Sequence, residues 1–112
     1  MWRGGDRMGK KGIRIRDIEH LKKVLKNSKF KIGAAFLFGS RAKGEFLEDS
    51  DWDLMIISDN FKGISFLDRA TFFLKEVPIR RADIFCYVNS EITERKDEIG
   101  IVREALKGIK VI

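Results

Sequence analysis

Three short apolar stretches constrain this 112-residue chain more than any other feature: residues 32–38, residues 52–57 (WDLMII) and residues 81–88 (RADIFCYV). Each is strand-length, rich in β-branched and aromatic side chains, and nearly unbroken, which is the pattern of a β-strand buried on both faces. Between them lie segments of helical period. Ile18, Leu21, Val24 and Leu25 recur at spacings of three and four with charged residues between them, which predicts an amphipathic helix over 17–28 with Asp17 as N-cap. Phe66, Leu67, Ala70, Phe73, Leu74 and Val77 predict a second helix, started near Ser65 and stopped by Pro78. A third helical tract over about 90–107 is weakened at Gly100 and closed at Gly108, and residues 109–112 can add a last strand. The expected fold is α/β (α+β): a mixed sheet of three to four strands with helices packed on one face.

A hydrophobic fraction of 44%, including nine Phe, two Trp and one Tyr, suffices for one packed interior. Residues 1–12 are Gly-rich and basic and are expected to form a flexible leader, leaving 13–112 as a single domain. A single Cys excludes an intramolecular disulfide, and with a single His it argues against a Cys/His zinc site; a reducing cytoplasm fits this usage. No apolar run approaches the ~18–20 residues of a bilayer-spanning helix, so no membrane association is expected. Charge is uneven: Lys and Arg outnumber Asp and Glu by 11 to 3 in residues 1–31, and trail them by 12 to 14 afterwards. The basic excess is thus local, either a solvated arm and helix face or an attractor of nucleic acid or an acidic partner. A charged fraction of 36% with no Gln leans toward a thermophile's composition.

Chemistry gathers between the first two apolar runs. Asp51 and Asp53 are two residues apart at the start of the second run, so in a strand both carboxylates face one side with Cα atoms ~6.5–7 Å apart, close enough to share divalent ions. A carboxylate leading straight into Leu54-Met55-Ile56-Ile57 is costly unless it stays wet, pairs with a cation or binds metal. The competing reading is a solvated acidic turn, since Glu45, Glu48 and Asp49 crowd the same stretch. Gly39-Ser40 ends the first run where the chain should turn into a short helix, and there the backbone amides and the Ser40 hydroxyl can donate to a phosphate. Arg41 and Lys43 add positive charge beside it, unless Arg41 is taken up by the nearby acids.

Taken as a unit, residues 39–54, GSRAKGEFLEDSDWDL, resemble the signature of the minimal nucleotidyltransferases of the DNA polymerase beta superfamily. The likeness lies in the Gly-Ser, the Arg-Ala-x-Gly after it, the Ser before the acidic pair and the spacing between them. It is strongest over 32–57, looser through 83–88 and silent on 1–16. It implies a third acid on a later strand, for which Asp83 is the best match, with Asp59 and Asp68 worse placed; alternatively Asp83 pairs with Arg80 or Arg81. The resemblance further implies Asp51, Asp53 and Asp83 as catalytic residues and ligands of two Mg2+ ions, with Mn2+ as a substitute. It assigns Gly39, Ser40 and Arg41 to a nucleoside triphosphate, ATP above all, with AMP transferred to an acceptor. Such proteins accompany a HEPN-type helical protein as antitoxins that adenylylate it, so a partner chain is implied, and a homo-oligomer completing its own site is a further expectation. The alternative from another class is a non-catalytic nucleotide- or RNA-binding module or antitoxin subunit acting through the basic segment. His20, Cys86 and Trp52 are read as surface, core and packing residues, while Tyr87 shares strand parity with Asp83 and Phe85 and is a weaker candidate to line the site.

Overall fold

The computed structural model describes residues 12–47, 50–95 and 100–112. The expected leader falls almost wholly outside the described residues. In chain order the elements are α1 (Ile18–Asn27), β1 (Ala34–Phe38), α2 (Ser40–Lys43), β2 (Trp52–Ile57), a 3-10 turn (Asp59–Phe61), α3 (Phe66–Glu76), β3 (Ala82–Tyr87), α4 (Asn89–Arg95), α5 (Ile101–Leu106) and β4 (Ile109–Lys110). The strand order is β3-β2-β1-β4, with β1 antiparallel to both its neighbours and β2 parallel to β3. This is the mixed α+β sheet that the three apolar stretches predict.

Local chemistry explains the boundaries. The Asp17 carboxylate accepts from the His20 amide at 2.8 Å and starts α1, while the Arg16 amide donates to the imidazole Nδ1 of His20 at 3.1 Å. The helical tract after β3 divides into α4 and α5, and Gly100 precedes α5 with a φ of 148°. Residues 96–99 lie outside the described set.

The sheet is covered on both faces. Even-numbered β2 and β3 side chains, including Leu54, Ile56, Ile84 and Cys86, pack with Leu21 and Leu25 of α1 and Phe73 of α3. The odd-numbered Met55, Ile57 and Tyr87 pack with Phe36, Phe38, Val102 and Ala105, so α5 lies on the opposite face. The expected one-sided arrangement therefore holds for α1 and α3, and the C-terminal helices add a second layer. Short weakly periodic helices such as α5 hide this from sequence, because six residues give under two turns of pattern.

One element of the core is charged. Arg69, 7% exposed, donates to both Glu91 carboxylate oxygens at 2.8 and 3.2 Å and to the Ile64 and Cys86 carbonyls at 2.9 and 3.2 Å. Glu91 also accepts from the Val88 amide at 2.7 Å, which secures the start of α4 beneath the end of β3. The hydrogen bond from Arg69 is the main cause that holds the Glu91 carboxyl below its ordinary range. Burial pushes the Cys86 thiol up to about 12, consistent with a core role. Among the described residues no helix is long and apolar enough to cross a membrane.

Candidate active site

The parallel register of β2 and β3 sets Asp53 directly beside Asp83, and strand parity turns both toward the face that α5 partly covers. Asp51 lies two residues before Asp53, outside the strand and exposed. Asp53 itself is half-buried, opposite Phe38 of β1 in the antiparallel register. The rings of Phe38 and Phe85 touch, centroids 5.7 Å apart, and form an apolar floor on the interior side of the carboxylates. Burial first, then the charges of Asp83 and Asp51, push the Asp53 carboxyl above its ordinary value. Among the described residues no cationic side chain forms an ion pair with Asp53 or Asp83, so the alternative in which Arg80 or Arg81 neutralises Asp83 is not what the structure shows.

Gly39 closes the other side. Its backbone lies at φ 75° and ψ −156°, a region open essentially to glycine alone, and a Cβ built there would collide with Oδ2 of Asp53. The β1–α2 bend thus presses main chain against the carboxylate. The Gly39 carbonyl accepts from the amides of Ala42 and Lys43 at 3.2 Å each, so the first amides of the α2 turn remain at its open end beside the acids. Ser40 is the first residue of that turn and is half-buried.

Arg41 goes elsewhere. Its guanidinium stacks 4.1 Å from the Trp52 ring and 4.6 Å from that of Phe46, and its Nε donates to the Ser50 carbonyl at 2.9 Å. Trp52 is 4% exposed on the face of β2 opposite Asp53, as its position between the acids implies. Arg41 is therefore not brought to the carboxylates but holds the loop that carries them. Tyr87 is buried against Phe66 at the far end of β3, away from Asp83, and Cys86 is core. The pressure of Gly39 on Asp53 and the aromatic floor were not legible in sequence; the one signal available was Phe38 directly before Gly39.

The donor set suits a hard cation. Asp51, Asp53 and Asp83 offer only carboxylate oxygens, and an uncompensated half-buried carboxylate beside two others is the electrostatic situation that a divalent cation relieves. With the side chains as placed, no three Asp, Glu, His or Cys groups among the described residues converge tightly enough to hold an ion. Asp51 is exposed and lies outside the strand.

Comparisons with known proteins bear on the fold and the family. The family model described as polymerase beta, nucleotidyltransferase matches residues 19–103. A crystal structure at 1.40 Å of a Sulfolobus solfataricus protein assigned as a nucleotidyltransferase is similar in fold, with a TM-score of 0.55 and 24% identity over 87% of this chain and 85% of that one. A search of curated proteins finds no match.

Proposed function

The chain belongs to the polymerase beta nucleotidyltransferase family, and from that premise we propose that it transfers a nucleotide, AMP from ATP, to a hydroxyl acceptor carried by another molecule. The observation that carries the reading is Asp53: half-buried, without an ion-pair partner among the described residues, and flanked by Asp83 and Asp51 against a glycine bend that leaves no room for a side chain.

In this reading the Gly39 and Ser40 amides and the Ser40 hydroxyl donate to the β- and γ-phosphate oxygens of the triphosphate. Asp51, Asp53 and Asp83 hold Mg2+, two ions by family likeness, which when bound neutralises charge developing on the phosphates. Asp83, at the exposed start of β3, accepts the proton of the attacking hydroxyl. The hydroxyl oxygen bonds to the α-phosphorus, the bond to the bridging oxygen breaks, and pyrophosphate leaves with the electron pair. The Phe38–Phe85 floor keeps water from the inner side of Asp53. The acceptor is a partner protein of the HEPN type, following the family likeness.

The test is transfer of label from α-labelled ATP with Mg2+ to candidate acceptor proteins, comparing the wild type with Asp53→Asn. Label incorporated by the wild type alone supports the reading. Equal labelling by the variant, or no ATP binding by the wild type, contradicts it.

A further inference from the structure

Arg41 is a buried arginine on a surface turn. It is 8% exposed, although α2 is a single turn of four residues and Lys43, Gly44 and Glu45 beside it are exposed. A guanidinium leaves water at a cost that only well-made contacts offset. The contacts of Arg41 fall on one short piece of chain. Its Nε donates to the Ser50 carbonyl at 2.9 Å, and its guanidinium carbon lies 4.1 Å from the centroid of the Trp52 ring and 4.6 Å from that of Phe46. Asp51 stands between Ser50 and Trp52, so one side chain grips both of its chain neighbours.

Further hydrogen bonds hold those neighbours in place. The Ser50 amide donates to the Leu47 carbonyl and the Leu47 amide to the Ser50 hydroxyl, each at 3.0 Å. The Trp52 amide donates to the Arg81 carbonyl at 2.8 Å, and its ring is buried in the core. Asp51 itself lies before the first paired residue of β2, so the sheet ladder does not fix it. Its charge nevertheless acts on Asp53, whose carboxyl it helps to push up.

We infer that Arg41 is a positioning residue: through Ser50 and Trp52 it fixes Asp51 relative to Asp53 and the Gly39–Ser40 bend, and so strengthens the hold of these acids on a divalent cation. The inference rests on the transfer reading above, which assigns Asp51 to the metal. A cation of this kind gathers its carboxylate oxygens at fixed short distances, so a ligand on an unrestrained segment must be ordered when the ion binds. A contact that orders the segment beforehand removes that cost. Arg41 is rooted in the turn that follows Gly39, so the same side chain also ties the bend to the acid. Charge and positioning predict opposite signs. A guanidinium repels a nearby cation, so deleting it for its charge alone would tighten metal binding, whereas deleting a brace weakens it.

The test counts bound Mn2+ from the loss of the free-ion paramagnetic resonance signal, with the metal alone and no nucleotide. Asp53→Asn and Asp51→Asn define the site, and both should weaken binding. Arg41→Gln should weaken it about 10- to 100-fold, the range found for groups that orient metal ligands. Arg41→Lys should lose nearly as much, because lysine keeps the charge but has neither the Nε donor nor the planar face. Added to Asp51→Asn, Arg41→Gln should cost less than roughly twofold more, since both act through one carboxylate. Thermal unfolding reports whether each variant folds. Phe46→Ala removes an exposed ring from the stack and should weaken Mn2+ binding several-fold, which keeps the test open if the Arg41 variants do not fold. Affinity unchanged or tighter in the Arg41 variants, or in Phe46→Ala where those do not fold, would overturn the inference and leave the transfer reading standing. So would Asp51→Asn binding as the wild type does, or losses that add to that of Asp51→Asn. A wild type that binds no Mn2+, or binds it equally well after Asp53→Asn, overturns both.

Discussion

Replacing Asp53 by Asn should make the metal-free protein more stable while removing its proposed activity. The parallel register places the Asp53 and Asp83 carboxylates side by side on adjacent strands, roughly 5 Å apart at the strand spacing. Two unit charges at that distance repel by about 1 kcal/mol at a water-like dielectric and about 3 kcal/mol at an effective value of 20. Asp83 is exposed, so the lower figure governs. Asn also relieves the burial that is the largest cause of the raised Asp53 carboxyl. The net gain should be about 1–2 kcal/mol, or roughly 5–10 °C in Tm for a domain of this size. The sign follows from linkage: a carboxyl raised in the folded state binds more protons folded than unfolded, so stability falls as pH rises through its folded value. The wild-type deficit should therefore be full at pH 7.5, narrow on acidification and vanish once Asp53 is protonated. Thermal unfolding by circular dichroism in EDTA at low ionic strength reads this directly. Added Mg2+ should raise the wild-type Tm and leave the variant unmoved. A lower Tm for Asp53→Asn in EDTA, or a deficit that grows on acidification, would refute the reasoning.

Gly39→Ala should abolish ATP binding by calorimetry, because the new Cβ would displace Oδ2 of Asp53 while the backbone sits in a glycine-only region. Arg69→Met should lower stability by about 2–3 kcal/mol in urea unfolding, less than for a fully buried pair because Glu91 is 33% exposed. In that variant the acid limb should also change. Glu91, held low by Arg69, contributes stability present above the ordinary carboxylate range and lost as pH falls through its lowered value, so the wild-type advantage over Arg69→Met should be full near neutral pH and narrow on acidification. Cys86 should resist thiol reagents at pH 8 in the native state and react on unfolding, as a thiol pushed up to about 12 and 2% exposed requires.

Much of this structure could be read from the chain because its signals were local. The strand Trp52–Ile57 coincides with the apolar run WDLMII, Asp17 caps α1 as its side chain suggests, and Pro78 lies just beyond α3. Side-by-side placement of Asp53 and Asp83 required knowing that β2 and β3 pair in parallel with those residues in register, which no pattern within either segment specifies. The surroundings of Arg41 were likewise not legible: its guanidinium stacks on Trp52 and Phe46 and its Nε donates to the Ser50 carbonyl, contacts that the fold of the following loop sets. The parallel bridge between Ile13 and Ile79 was invisible for the same reason as the second helical layer, since both arise from contacts between segments far apart in sequence.

Locating a bound metal tests the core of this account most directly. A crystal soaked with Mn2+ and a non-hydrolysable ATP analogue should give an anomalous peak within about 2.0–2.3 Å of carboxylate oxygens of both Asp53 and Asp83, with the terminal phosphates against the Gly39–Ser40 bend. Nucleotide bound with its phosphates away from the Gly39–Ser40 bend, and no metal at those two aspartates, would contradict it.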